Sequence, residues 1–560
     1  MAVSNAKTLR RVAKEKERIS KYAFYILVAF CVQFLIYLVF LNLIPFYNDA
    51  DNDGRILKEE VSSFYKQEWN VYQVETVNST TGQVVTQMQK EEKIDNGMEF
   101  IHGYNMVLLV ATIILCIYYG LIFMEEYEGK VMETIKKFFK ENKGLLILLC
   151  FMTWVFISSL FAFDKFRSFV GCHNLRDGYL SFMFYASVLV CILLLGKDKD
   201  KYAKKIVKLF LITTTIIASL TLFNYFDIIN NPSETSTIVR DSIFDVKVYG
   251  ADKDTIVGGP FNNSNHYGYL LSISVVVAAV MFVKEKNNLI IKALYGLSFL
   301  VMTYMLILNN TFGAYLGVGI AISLMLISEI ITYILKAKKG EKSFDAVIAV
   351  VIVLALFVGS SFVTKNYNGE VIAKNNFADV SNGVKSIVAS LKNDESEIIE
   401  GEVIENTENN AQANTNTEEK NIDEIAGDAG SGRWKLWVGA LEIIKKFPVF
   451  GCGLENMIYE YAKIDINEGR SHNLVLQLAG TTGIPGALLY IVGVLWIFFK
   501  GLRNYSNLDT YSYMGMFVMI SYLISSLTGN SGFYTSGYFY IFVGLLVLGT
   551  FAKKEELNKK

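Results

Sequence analysis

The chain alternates long apolar runs with short polar segments. Apolar stretches lie near 23–44, 105–124, 145–163, 179–196, 209–229, 266–283, 289–308, 313–334, 345–363, 485–499, 511–528 and 537–551. Runs of about 18 or more apolar residues are long enough to cross the hydrocarbon core as helices. The pattern predicts an all-α membrane protein with about 12 transmembrane helices. The segments containing KKFFKENK (137–144), KDKDKYAKK (197–205), KEK (284–286), KAKKGEKS (336–343), KGLR (500–503) and KKEELNKK (553–560) are basic. All six fall on one side if every run crosses, which places both termini in the cytoplasm by the positive-inside bias.

That topology divides the chain. Residues 1–22 form a basic cytoplasmic tail without a cleavage-site pattern, followed by the first transmembrane helix at 23–44. An extracytoplasmic loop spans 45–104, helices 2–9 occupy 105–363, and a large extracytoplasmic loop bearing short helices covers 364–484. Helices 10–12 occupy 485–551 and a short cytoplasmic tail covers 552–560. Within the large loop, 393–430 carries about a dozen acids against one basic residue, Lys420, and reads as a disordered insertion. The chemistry is then expected in 431–484.

Composition agrees with a membrane protein. The 560 residues are 52% hydrophobic and 19% charged, with mean hydropathy +0.33. Six cysteines show no metal-ligand spacing, and most lie in apolar runs as small hydrophobes. Neither a zinc site nor a disulfide framework is indicated.

After the acidic insertion comes SGRWKLWVGALEIIKKFPVFGCGLENM, and about twenty residues later RSHNLVLQLAGTTGIPGALLY. Trp434, Trp437, Leu441 and Ile444 share one helical face, with Lys435, Glu442, Lys445 and Lys446 elsewhere, as in a short amphipathic helix at the interface. Pro448 and the Gly451-Cys452-Gly453 turn end it. Arg433 and Arg470 offer planar, permanently charged forks for phosphate. His472 can take a proton from a hydroxyl near neutral pH. A basic, aromatic, membrane-facing loop with one histidine suits a lipid-phosphate substrate. The same arginines and tryptophans also suit simple anchorage to headgroups.

These residues resemble the O-antigen ligase and O-antigen polymerase superfamily of polytopic membrane glycosyltransferases. The similarity rests on Arg433, Trp437, Pro448, Gly451, Gly453, the His472-Asn473 pair and Gly483, eleven positions after the histidine. Upstream, SLFAFDKFRSFVGCHNLRDGYLSFMFY and GGPFNNSNHYGYLLSI are similar through a glycine- and arginine-bearing loop and an Asn-rich helix entry. Phe312, in NNTFGAYLG, stands where the family often has an arginine. The resemblance implies an inverting, metal-independent transfer of a glycan from undecaprenyl pyrophosphate, outside the bacterial cytoplasmic membrane, in cell-surface polysaccharide biosynthesis. His472 matches the proposed general base and Arg433 the arginine that holds the pyrophosphate. The acceptor would be a glycan, lipid or protein hydroxyl; partners are the lipid-linked glycan and membrane lipids, with no nucleic acid. Arg470, Arg176, Asn473, His266 and Asn265 are further substrate-contact candidates. Asn265 equally suits a helix cap, and Arg176 a local ion pair with Asp177.

A separate signal is DADNDGRILKEE at 49–60. It fits the calcium-loop template, with Asp49, Asp51 and Asp53 as side-chain ligands, Gly54 at the turn, Arg55 giving a carbonyl and Glu60 bidentate. A structural Ca²⁺ is expected there and no cofactor for catalysis. Two other activities fit parts of the pattern: a lipid-linked-glycan flippase, since about a dozen helices is also a transporter number, and a protein O-oligosaccharyltransferase. Transporters usually bury ionisable groups near the midplane. Here the polar groups concentrate in one outer loop, which favours surface chemistry.

Overall fold

The computed structural model describes residues 2–43, 69–77, 84–93, 96–172, 176–230, 247–249, 256–261, 264–338, 343–364, 433–464, 466, 468–529 and 533–557. The calcium-loop residues 49–60 and the acidic insertion 393–430 lie outside the described residues.

A helix stands at each of the twelve apolar runs. The first eight are α1 (Ala2–Leu43), α2 (Asn96–Glu126), α4 (Lys143–Phe161), α6 (Tyr179–Leu194), α7 (Lys199–Asn230), α8 (Ser264–Lys284), α9 (Leu289–Asn309) and α10 (Phe312–Ala337). The others are α11 (Asp345–Val363), α14 (Leu474–Arg503), α15 (Thr510–Ser526) and α16 (Phe533–Leu557). Four short helices complete the count: α3 (Val131–Glu141), α5 (Lys165–Val170), α12 (Arg433–Lys446) and α13 (Met457–Ala462). Among the described residues, nine helices are long and apolar enough to cross a membrane. The chain is therefore a mostly helical, multi-pass membrane protein; α6, α15 and the apolar part of α16 are shorter than the other nine.

Two features differ from the sequence expectation. The basic segment expected as a separate tail is continuous with α1, because its Ala, Lys, Arg and Glu residues favour helix. It is also tied down: Arg11 pairs with Glu125, Lys16 Nζ lies 2.5 Å from Glu126, and the Tyr118 hydroxyl donates to Glu15. The loops also hold two antiparallel hairpins not foreseen in an all-α reading, β1 (Trp69–Val77) with β2 (Val84–Lys93), and β3 (Lys247–Tyr249) with β4 (Ile256–Gly259). Alternating Val, Thr and Tyr residues suit a pleated surface.

The helices α8, α15 and α16 form the centre. Residues 267–281 of α8 are buried without interruption, so this helix has protein on every side. Close approach at the crossings uses small residues: a Cβ on Gly317 of α10 would sit 2.4 Å from the Ser521 carbonyl oxygen of α15, and one on Gly515 2.4 Å from that of Phe542 in α16. Small residues at such contacts replace the hydrophobic drive that lipid does not supply. Large, exposed apolar side chains such as Val107, Ile114 and Ile117 of α2 cover the outside. Ion pairs join particular helix ends: α1 start to α2 end, Lys284 at the end of α8 to Glu329 of α10 at 2.6 Å, and Lys199 at the start of α7 to Asp509 before α15.

Candidate functional site

The helix that follows His472 is broken where the sequence has Gly483-Ile484-Pro485. Gly483 adopts φ 75°, ψ 170° inside α14, separating a first stretch, 474–482, from the long apolar stretch that follows. The break leaves backbone groups without helical partners, and each must be met elsewhere. The loop after α12 meets them. The Cys452 N–H donates to the Gly480 carbonyl and Gly453 N–H to Thr481, both at 2.9 Å, while Ile484 N–H donates to Pro448 at 2.9 Å. The Trp154 indole N–H of α4 donates to the Thr482 carbonyl at 2.8 Å, and Ser158 Oγ to the Phe450 carbonyl at 2.6 Å. Phe450 itself stacks between Trp154 and Phe161.

This docking explains the glycines. A Cβ on Gly483 would fall 1.9 Å from the Val449 carbonyl oxygen, and one on Gly451, φ 69°, 2.3 Å from the Thr481 carbonyl carbon. Both positions combine a left-handed backbone with main chain pressed against main chain. The Gly-x-Gly turn and the glycine eleven residues after His472 are two halves of one contact.

The second half of the site comes from α5 and the loop after it. Asp164 caps α5 by accepting from the Arg167 N–H, and its own N–H donates to Asn456 Oδ1, both at 2.9 Å. Arg167 Nε donates to the Glu455 carbonyl at 2.8 Å, and Leu454 N–H donates to Ser168 Oγ at 3.0 Å. Gly171 and Gly178 close the loop, since a Cβ on Gly178 would meet the Gly171 nitrogen at 2.4 Å. Residues 164–172 are thereby fixed to the turn at 454–456, almost three hundred residues later.

Arg470 joins the two halves. Its Nη2 lies 2.9 Å from Asp177 Oδ2 and 2.8 Å from Glu455 Oε1, and the residue is buried. Tyr185 donates to the other oxygen of Asp177 at 2.8 Å, and Cys172 Sγ to the other oxygen of Glu455 at 3.0 Å. Burial opposes ionisation of Glu455, but Arg470 and then Arg167 outweigh it and hold this carboxyl below its usual value. Burial dominates at Asp177 and raises its carboxyl, against the pull of Arg470. Arg470 is thus paired with two carboxylates through Nη2, while its Nε is buried without a partner among the described residues. The expected local pair of Arg176 with Asp177 is replaced by Asp177 with Arg470. Arg176 takes a left-handed backbone, φ 47°, and its Nη1 reaches back to the Gly171 carbonyl at 3.5 Å.

His472 follows two residues later, also left-handed at φ 50°. Its Nδ1 is buried with no hydrogen-bond partner among the described residues. Burial first, then the charges of Arg433 and Arg470, push the imidazole down to about 4 from its usual 6.5, so it is neutral at pH 7. Arg433, at the first residue of α12, is thus close enough to act on it, and no carboxylate pairs with Arg433 among the described residues. His266, in the first turn of α8, is buried and also within electrostatic reach of both Arg470 and His472. Asn265 stands beside it on α8. Asn473 is the N-cap of α14: its Oδ1 accepts from Val475 and Leu476, and its Nδ2 donates to the Leu527 carbonyl at 2.9 Å. Its side-chain amide therefore has a structural task at both ends. Phe312, where an arginine was expected, begins α10.

The helix α12 forms as the sequence predicts, and a second set of its apolar residues packs on protein. Leu436, Ala440 and Ile443 pack on Cys452, Met457, Tyr461 and Ile466, whereas Leu441 is exposed. Trp437 lies at the edge of this cluster with its indole N–H buried and unpartnered among the described residues. Cys172 and Cys452 are not joined in a disulfide.

The fold and site together define a multi-pass membrane protein that gathers arginines and one neutral histidine in a loop braced against a broken helix. Residues 297–491 match the family described as O-antigen ligase, which places this segment, from α9 into α14, in the O-antigen ligase/polymerase superfamily of glycosyltransferase-like membrane proteins. The match contains Arg433, Arg470, His472 and Gly483. Comparison with curated proteins gave no match.

Proposed function

We propose that the chain is an inverting, metal-independent glycosyltransferase that transfers or polymerises a glycan from an undecaprenyl-pyrophosphate donor. The reaction takes place at the outer face of the bacterial cytoplasmic membrane, in cell-surface polysaccharide biosynthesis, on an acceptor glycan, lipid or protein hydroxyl. In this reading all twelve apolar helices cross and both termini are cytoplasmic, which the basic segments and the ion-paired helix ends support. The observation that carries the reaction is a half-buried, neutral His472 within electrostatic reach of Arg433, with which no carboxylate pairs among the described residues.

His472 takes the proton of the acceptor hydroxyl as its oxygen attacks the anomeric carbon. The bond from that carbon to the diphosphate oxygen breaks, and the lipid diphosphate leaves with the electron pair. Arg433 meets the developing charge, a kind of stabilisation worth several kcal/mol. The donor also tunes the base. After burial, the charge of Arg433 is the next cause that depresses His472, so a diphosphate that neutralises Arg433 makes the imidazole more basic at the moment a hydroxyl must be deprotonated.

The test is transfer in vitro with purified protein, an undecaprenyl-pyrophosphate glycan and candidate acceptors. His472→Ala and Arg433→Ala should each lose product formation by about a hundredfold or more. Full turnover in both variants defeats the site assignment. No turnover by the wild type, together with demonstrated movement of the lipid-linked glycan across the bilayer, favours a flippase instead.

A further inference from the structure

We propose that Glu455 and Asp177 are positioning residues for this reaction, which act through Arg470 to set the His472-Asn473 turn. The inference rests on the reading of His472 as the base.

Three segments meet on one guanidinium: the loop before α6 through Asp177, the turn after Gly453 through Glu455, and the segment leading into α14 through Arg470 itself. Each carboxylate is held from behind by a second donor, Tyr185 on Asp177 and Cys172 on Glu455. The carboxylates therefore cannot rotate away without losing two bonds. Ser471, between Arg470 and His472, is held as well: its N–H donates to Gln477 Oε1 and its Oγ to the Asn473 carbonyl, both at 2.9 Å.

The backbone shows why such holding is required. Among the described residues four non-glycine residues have positive φ, and three of them, Arg176, Glu455 and His472, belong to this cluster. Left-handed conformations at residues with a Cβ persist where surrounding bonds over-determine them. All three lie in or within two residues of the clamp: Arg176 precedes Asp177, Glu455 is a carboxylate of the clamp, and His472 lies two residues after Arg470. The clamp thus holds the segment that carries His472, whose Nδ1 has no partner among the described residues. It also keeps the charge near the base small, since two carboxylates offset Arg470. Among the described residues the charged and titratable groups that act on His472 or are acted on by it are Arg433, Arg470 and His266.

The test compares wild type with Glu455→Ala, Glu455→Gln, Asp177→Asn and His472→Ala in steady-state transfer from the lipid-linked donor over a range of pH. Misplacing a base by about an ångström costs roughly a hundredfold, so Glu455→Ala should lower kcat by about ten- to a hundredfold, with KM for the donor nearly unchanged. Glu455→Gln keeps an oxygen that accepts from Arg470 and should recover most of that loss. Both Glu455→Gln and Asp177→Asn uncover charge on Arg470, so the acid limb of kcat/KM should move to lower pH. A residue that merely stabilises the loop would lower activity only in proportion to the folded fraction and leave the limb in place. An inactive His472→Ala with wild-type kcat in Glu455→Ala overturns this inference alone. A fully active His472→Ala overturns the base assignment, and this inference with it.

Discussion

Gly483→Ala isolates the contact on which the site is built. A Cβ at φ 75° costs about 1–2 kcal/mol of backbone strain by itself. It would also lie 1.9 Å from the Val449 carbonyl oxygen, inside any contact distance, so the 448–453 loop must retreat by about 1.5 Å to restore van der Waals contact. That retreat stretches the bonds of Ile484, Cys452 and Gly453, now each 2.9 Å, beyond hydrogen-bond length. At about 1 kcal/mol apiece, the local penalty reaches roughly 3–5 kcal/mol with the strain included. The assay is hydrogen exchange on protein in nanodiscs, with turnover measured alongside. The amides of Cys452, Gly453 and Ile484 should exchange at least about a hundredfold faster, the factor that about 3 kcal/mol represents, and transfer should collapse. Gly359→Ala, where a Cβ meets nothing within 4 Å, is the control and should leave both unchanged. Unaltered exchange at the three amides together with normal turnover would refute the reasoning.

The pH response follows from His472. Its folded value, about 4, lies below the usual 6.5, so its contribution to stability is complete above pH 6.5 and is lost as the pH falls toward 4. The acid limb of kcat/KM should accordingly lie near 4, the limb of kcat higher once the donor offsets Arg433, and Arg433→Ala should raise the former; a wild-type limb at 6.5 contradicts this. From the sequence alone, Ca²⁺ should raise the melting temperature through the 49–60 loop and Glu60→Ala should abolish the rise; no shift in the wild type removes the calcium site.

Periodicity and charge made much of the architecture legible. The twelve apolar runs became helices, the start of the run at 485 coincides with the break at Gly483, and the helix after Arg433 was visible from its pattern. The pairing inside the site was not. Arg176 and Asp177 are neighbours in sequence and suggested a local pair, but the turn at Arg176 leaves Asp177 to Arg470, which only the assembled fold brings near. Glu455 carried no signal except a carboxylate placed two residues after a Gly-x-Gly turn. The side of α12 that packs on protein was not legible, because both of its faces hold apolar side chains and period alone does not say which one meets α13. Asn473 drew attention as a substrate contact, while its place directly before an apolar helix already marked it as a cap.

The anchorage of the outer loop to α14 has an evolutionary corollary. Of the bonds that cross the break between them, those from Cys452, Gly453 and Ile484 run from main chain to main chain. Such bonds are indifferent to side-chain identity, so the loop can change its side chains without working loose from its mount. The glycines are the exception, having no smaller substitute. Related chains that take different acceptors would then share the mount and diverge in the reading surface, as interchangeable heads do on a common shaft.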